Sequence, residues 1–186
     1  MTDKDKKTPI SNDSNASSQA NDAFEPTHSI ENQLRQALRR LWVFGKKTEI
    51  TKLIKKSINI CIKEMHLKKK FYISVFVTNN NKMKKINLKY RKKNKTTNVL
   101  SFPQNEARFI GKTSAIILGD IVISLEEIYK ESLEQKKVFY NHLSHMIIHS
   151  FLHLLGFDHD TKKNFEIMKK KEISILSKMS ISSPYN

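Results

Sequence analysis

The chain has 186 residues, and its 34 Lys plus Arg against 18 Asp plus Glu give a formal net charge of +16. That length suits one domain with a tail, large enough to bury a core without covalent staples. The lone cysteine, Cys61, excludes an internal disulfide framework; no stretch reaches the roughly 18 apolar residues of a membrane span, and the polar N-terminus lacks the apolar region of a secretory signal, so a cytoplasmic protein with no membrane partner is expected.

Residues 1–30 carry three lysines against five acids and no apolar periodicity, which predicts a disordered tail. Residues 31–49 read either as an N-terminal extension or as a first strand: Leu34, Leu38, Leu41 and Trp42 suit a helix, and residues 41–44 suit a short strand. The folded domain is expected over residues 50–180. Residues 50–65 place Leu53, Ile54, Ile58, Cys61, Ile62 and Met65 at helical spacing with lysines opposite. Residues 71–77 are a run of strand formers, and 82–90 a short helix with Met83, Ile86 and Tyr90 on one side. Residues 98–102 form a short strand stopped by Pro103, and a loop spans 104–112. A strand over 115–124, punctuated by Gly119-Asp120, leads to an acidic amphipathic helix over 125–135. Residues 139–155 form a helix ended by Gly156, followed by a turn at 158–160 and a last helix over 163–176. Helices interleaved with three or four short strands indicate a mixed α/β or α+β domain.

Five of the seven histidines fall between positions 142 and 159. His149 and His153 stand four apart, one turn of a helix, so that two imidazoles point to one ion. A row of His145, His149 and His153 spans roughly 12 Å along a helix axis, too far for a single ion to bridge. The third ligand therefore comes from chain that turns back: Gly156 permits a left-handed stop, and His159 follows. Three imidazoles with an open fourth position are a catalytic arrangement, since a structural zinc takes four protein ligands. His142 and His145 are expected to be supporting or surface groups, and Asp158 and Asp160 either orient an imidazole or cap the last helix. The spacing H-x-x-x-H-x-x-G-x-x-H also resembles the zinc site of metzincin proteases, where the residue after the first histidine is a glutamate base. Here it is Ser150, which at neutral pH does not take that proton.

His149-Ser-Phe-Leu-His153-Leu-Leu-Gly156-Phe-Asp158-His159 resembles the H-G-x-L-H-L-x-G-Y-D-H motif of the YbeY family of bacterial endoribonucleases. A second block, from Asn87 through Tyr90, Arg91, Lys95, Thr97 and Asn98 to Val99-Leu100-Ser101-Phe102-Pro103, is similar to that family's N-x-x-Y-R-x-x-x-K-x-T-[DN]-V-L-S-F-P. Leu118-Gly119-Asp120-Ile121-Val122-Ile123-Ser124 is a third, and the resemblance spans roughly residues 50–178. It implies a zincin-like α+β domain: a small, mostly four-stranded sheet packed with helices, with the metal site on a central helix and the turn after it. It also implies a zinc-dependent, single-strand-specific endoribonuclease in 16S rRNA 3′-end maturation and ribosome quality control. One Zn(2+) would be bound by His149, His153 and His159, with Arg91 as the functional arginine facing them. The implied partners are single-stranded rRNA and the small ribosomal subunit, with small-subunit ribosomal proteins and an assembly GTPase as further candidates. Ser150 and Phe157 depart from the family's Gly and Tyr, and Ser150 is expected to crowd substrate.

RNA cleavage passes through a phosphorane that needs cationic stabilisation, for which a forked, permanently charged guanidinium such as Arg91 is suited. The nucleophile is either water or the RNA 2′-hydroxyl. Residues 82–95 carry eight cations and no acid, and Lys89, Lys92, Lys93 and Lys95 are candidates for the phosphate backbone, as a strip of this kind attracts a polyanion. Ser101 and Thr97 are candidate hydrogen-bond donors to phosphate. The same lysines also read as an ordinary solvated face. Two other functions fit parts of the pattern: a zinc metallopeptidase, and a non-catalytic ribosome assembly factor with a structural metal.

Overall fold

The computed structural model describes residues 46–104 and 116–185. Within them the chain forms α1 (Lys46–Glu64), β1 (Phe71–Thr78), α2 (Asn80–Arg91), β2 (Val99–Pro103), β3 (Ile116–Ser124), α3 (Leu125–Glu134), α4 (Phe139–Leu154) and α5 (Lys162–Ser177). This is the expected mixed α+β domain, with five helices and a three-stranded sheet among the described residues. The candidate tail, the candidate strand at 41–44 and most of the expected 104–112 loop lie outside them. Among the described residues no helix is long and apolar enough to cross a membrane.

Caps explain where the helices start ahead of their apolar pattern. The Asn79 side chain accepts from the backbone N–H of Lys82, which begins α2 before Lys82, and Thr161 does the same for Asn164 at the head of α5. Ser124 ends β3 and caps α3 at once, so strand and helix meet with no loop between them.

The strand order is β1-β3-β2. Strand β3 pairs in parallel with β1, from Phe71 opposite Ile116 to Thr78 opposite Ser124, and antiparallel with β2, where Leu100 faces Val122. The parallel pair requires a long crossover, and α2 with β2 supplies it. Central β3 is accordingly buried over most of its length.

Helix α4 is buried on nearly every side, because it packs against β2 and β3, α1, α3 and α5. Leu143, Ile147, Phe151 and Leu152 of α4 join Ile121 and Ile123 of β3, Ile54 and Cys61 of α1, and Ile175 and Leu176 of α5 in one core. Burial pushes the Cys61 thiol up to about 12, so it packs as a small apolar group. On the other side of the sheet Met83 of α2 meets Leu100 and Val122 in a smaller cluster.

Two glycines carry the backbone through left-handed conformations for different reasons. Gly119 has φ +138°, and a Cβ there would stand 2.2 Å from the Phe102 carbonyl oxygen, so strand β2 approaches β3 only over a glycine. Gly156 has φ +87° with nothing within 4 Å of the place a Cβ would take. Gly119→Ala is therefore expected to cost about 3 kcal/mol of stability, from strain and overlap together, and Gly156→Ala about 1 kcal/mol, from the backbone alone. Urea unfolding of the two variants checks this, and equal losses would contradict it.

Candidate active site

Helix α4 sets His142, His145, His149 and His153 at intervals of three or four, along one stripe of a helix otherwise filled with core residues. The helix ends at Leu154, Gly156 turns the chain, and His159 returns beside the last two histidines of the stripe. One nitrogen from each of His149, His153 and His159 lies within 4.8 Å of the others. The His149 and His159 rings stack at 24° with centroids 5.5 Å apart, and His153 stands edge-on to both. The three imidazoles expected from the sequence are therefore together.

What stands behind each ring fixes its tautomer. His153 Nδ1 lies 2.8 Å from the carbonyl oxygen of Phe157, which only accepts, so Nδ1 carries the proton. His149 Nδ1 lies 2.8 Å from Glu172 Oε1 and likewise donates. Both Nε2 atoms are then lone pairs, yet they face each other at 3.1 Å. Burial, with the charges of His149 and His159 adding to it, holds His153 below the usual histidine range, which disfavours a proton between them. A metal cation removes the repulsion: zinc–nitrogen bonds of about 2.05 Å at a tetrahedral angle put two ligand nitrogens roughly 3.3 Å apart. Three imidazoles suit a divalent metal cation, and the His149–His153 spacing matches two ligands of one ion.

Glu172 of α5 had no signal of its own in the motif, and it organises the site. It is wholly buried, and its two oxygens take His149 Nδ1 at 2.8 Å and His145 Nε2 at 2.9 Å, with a further bond from the Tyr185 hydroxyl. Burial alone would raise its pKa, but the bonds from His145, His149 and Tyr185 outweigh this and hold the carboxyl down at about 2. The recoverable signal is its position, since Glu172 shares the buried face of α5 with Met168, Ile175 and Leu176. His145 is thus a supporting group, donating from Nε2 and held below the ordinary histidine range by burial, and His142 bonds Glu131 at 2.8 Å.

Asp158 accepts from the Asn164 side chain at 2.9 Å and the Asp160 N–H at 3.3 Å, so it braces the start of α5. Ser150 does not crowd the site: it is fully buried within α4, with its hydroxyl lacking a partner among the described residues. Its side chain leaves the helix about 100° round from His149 and meets the core. Phe157 acts through its carbonyl, so the missing tyrosine hydroxyl leaves the His153 bond intact.

A cavity of about 610 Å³ opens at His149 and His153, and Arg91, Lys93, Lys95, Thr97 and Ser101 line it as well. Arg91 is the last residue of α2; it donates from Nη2 to the Ser101 carbonyl oxygen at 2.8 Å, and its guanidinium lies 5.7 Å from the Phe102 ring centre. Lys89 and Lys92 do not line the cavity. The Lys89 ammonium lies over Tyr90, and Lys92 bends back to the Lys89 carbonyl. Helical periodicity explains the split: Asn87 and Arg91, four apart, share the cavity face, whereas Lys89 lies about 200° away.

Fold and site together define an α+β domain with a three-imidazole centre of metal-binding type beside a cationic cavity. The family model described as endoribonuclease YbeY matches residues 27–180, beginning ahead of the motif blocks. The endoribonuclease YbeY of Bartonella bacilliformis is 46% identical over 113 residues, covering 61% of this chain and 71% of that protein. That of Acinetobacter baumannii is 39% identical over 134 residues, covering 71% and 85%. A Thermotoga maritima protein of known solution structure is similar with a TM-score of 0.48 at 24% identity, over 76% of this chain and 95% of that one. The chain belongs to the YbeY family.

Glu172→Gln keeps the shape but loses the charge and one acceptor, so it is expected to weaken binding of a divalent metal about 10- to 100-fold. Competition with a chromophoric chelator measures this; Glu131→Gln, which touches His142 instead, should leave the affinity unchanged. Acid should destabilise the metal-free protein in two stages. His145 and His153 lie below their ordinary 6.5, so under that pH the unfolded chain takes up protons that the folded one does not, and stability falls as pH falls. Glu172, at about 2 against an ordinary 4.5, adds a second loss as the pH drops from 4.5 toward 2. Urea midpoints across this range should decline in both windows, and a flat profile below 6.5 would contradict the assignment.

Proposed function

We propose that this chain is a zinc-dependent, single-strand-specific endoribonuclease that acts on the 3′ end of 16S rRNA and in ribosome quality control in the cytoplasm. The observation that carries the reading is that two of the three clustered imidazoles and the Arg91 guanidinium line one cavity. His149, His153 and His159 would hold the ion, which supplies Lewis-acid polarisation of a phosphoryl oxygen and acidifies an oxygen nucleophile.

The protein's own groups do the rest. Arg91, steadied by the Ser101 carbonyl, offers its remaining N–H donors to the nonbridging phosphate oxygens and stabilises charge as the phosphorane forms. Lys93 and Lys95 attract the flanking backbone from the same cavity wall. Glu172 and the Phe157 carbonyl fix two imidazoles in the tautomer that leaves Nε2 for the ion. Partners of matching chemistry are the small ribosomal subunit, its proteins and an assembly GTPase.

The peptidase reading lacks its base, since Ser150 is buried in the core and Glu172 stands behind His149. A purely structural metal is poorly served by an exposed His159 and a cavity opening at the ligands. One preparation assayed for metal content and for cleavage of single-stranded RNA, duplex RNA and casein tests the proposal. His153→Ala should lose metal and cleavage together, whereas Arg91→Ala should keep metal and cleave about 100- to 1,000-fold more slowly. RNA cleavage that survives His153→Ala would point to a contaminating nuclease, and casein cleavage would favour the peptidase.

A further inference from the structure

A second hollow, of about 310 Å³, adjoins the imidazole cluster. It shares Asn98 and His149 with the larger cavity, so the two meet at the centre of the site, but its other walls differ. Where the first cavity is cationic, this one sets Phe165, Tyr185, Met146 and Met168 opposite a wall of His145, His159 and Glu172, with Lys169 at hand. The Phe165 and Tyr185 rings meet at 87° with centroids 5.9 Å apart. The Lys169 ammonium lies 5.7 Å from the first ring and 5.3 Å from the second. Phe165 keeps 37% of its surface exposed here, beside the proposed reacting centre.

We propose that this hollow is a base-binding subsite, taking the unpaired base of a nucleotide that adjoins the cleaved phosphodiester. The proposal rests on the endoribonuclease reading above and adds where the strand goes. A phosphate held between Arg91 and the imidazoles carries its neighbouring nucleotide past His149, and the shared wall at Asn98 and His149 leads into the aromatic hollow. Every base has a π-face, so stacking on Phe165 is tolerant of sequence. Lys169, attracted to the rings in the free protein, moves to the next phosphate of the strand. A base still paired in a duplex cannot present its face to Phe165 without being unstacked, which makes the hollow a selector for single strands.

The test uses the metal-loaded full chain and a single-stranded RNA cut at one mapped position, compared with versions abasic at each flanking nucleotide in turn. At one flanking position, loss of the base should lower kcat/KM by about 5- to 100-fold, the range that stacking supplies. Phe165→Ala should lower cleavage of the intact RNA by a similar factor and abolish the sensitivity to that base, so the two losses do not add. Phe165→Trp should restore both, and metal content should stay at the wild-type level in each variant. Cleavage indifferent to the base at every position, or sensitivity that persists in Phe165→Ala, would overturn the subsite. Absence of any cleavage by the wild-type chain would instead overturn the endoribonuclease reading, and the subsite with it.

Discussion

A carboxylate with no exposure to solvent sits between α4 and α5, and the candidate site is arranged around it. Glu172 keeps its charge because His145, His149 and the Tyr185 hydroxyl all donate to it. An unpaired carboxylate at that depth would take a proton or force the helices apart, so the packing of α5 on α4 and the orientation of His149 are one constraint. It reaches in two directions. Toward the cavity it fixes the tautomer of His149; toward the C-terminus it anchors Tyr185, which helps to wall the second hollow.

The same economy runs through α4. A helix in the middle of a domain ordinarily has no polar stripe, since all of its faces meet other elements. Here the stripe exists because a neighbouring element bonds one ring nitrogen of each of its imidazoles: Glu131 of α3 for His142, Glu172 of α5 for His145 and His149, and the carbonyl of Phe157 just past the Gly156 turn for His153. The helix can therefore present imidazoles at one end while Phe151, Leu152 and Ile147 hold it in the core. Such rigidity suits a site whose ligand atoms must be held to within fractions of an ångström.

Much of this was legible in the sequence, and the limits have physical causes. The clustering of His149, His153 and His159 could be read because an i,i+4 pair and a glycine turn are local features. Glu172 could not, because a glutamate in a lysine-rich helix resembles a solvated one until its buried neighbours at helical spacing are counted. The parallel pairing of β1 with β3 depends on a crossover that no local pattern encodes. Ser150 was misleading because adjacency in sequence to a ligand suggested adjacency in the site, whereas a helix rotates neighbours onto different faces. The basic run over residues 82–95 is likewise not one strip: α2 turns Lys89 away from the cavity that Arg91 lines, and past the left-handed cap at Lys92 the chain brings Lys93 and Lys95 to the cavity wall.

The acids show what that division is for. Glu126 accepts from the Asn80 backbone at 2.8 Å and Glu127 from its side chain at 2.9 Å, where α2 begins. Glu131 takes the Asn98 side chain at 3.0 Å, where β2 begins. These three carboxylates of α3 hold both ends of the segment that delivers Arg91 and its neighbouring lysines to the cavity. Each of these contacts is a part-buried hydrogen bond of 2.8–3.0 Å, so it resists screening by salt better than the long-range field of a protein with a net charge of +16. The negative charges are thus spent on placing the chain, close to partners that fix its path, and the positive ones that remain on the cavity wall face the space a phosphate would enter. A surplus of lysine from any source would raise the net charge. It is the anchoring of residues 80–98 by α3 that turns a few of those charges into a site.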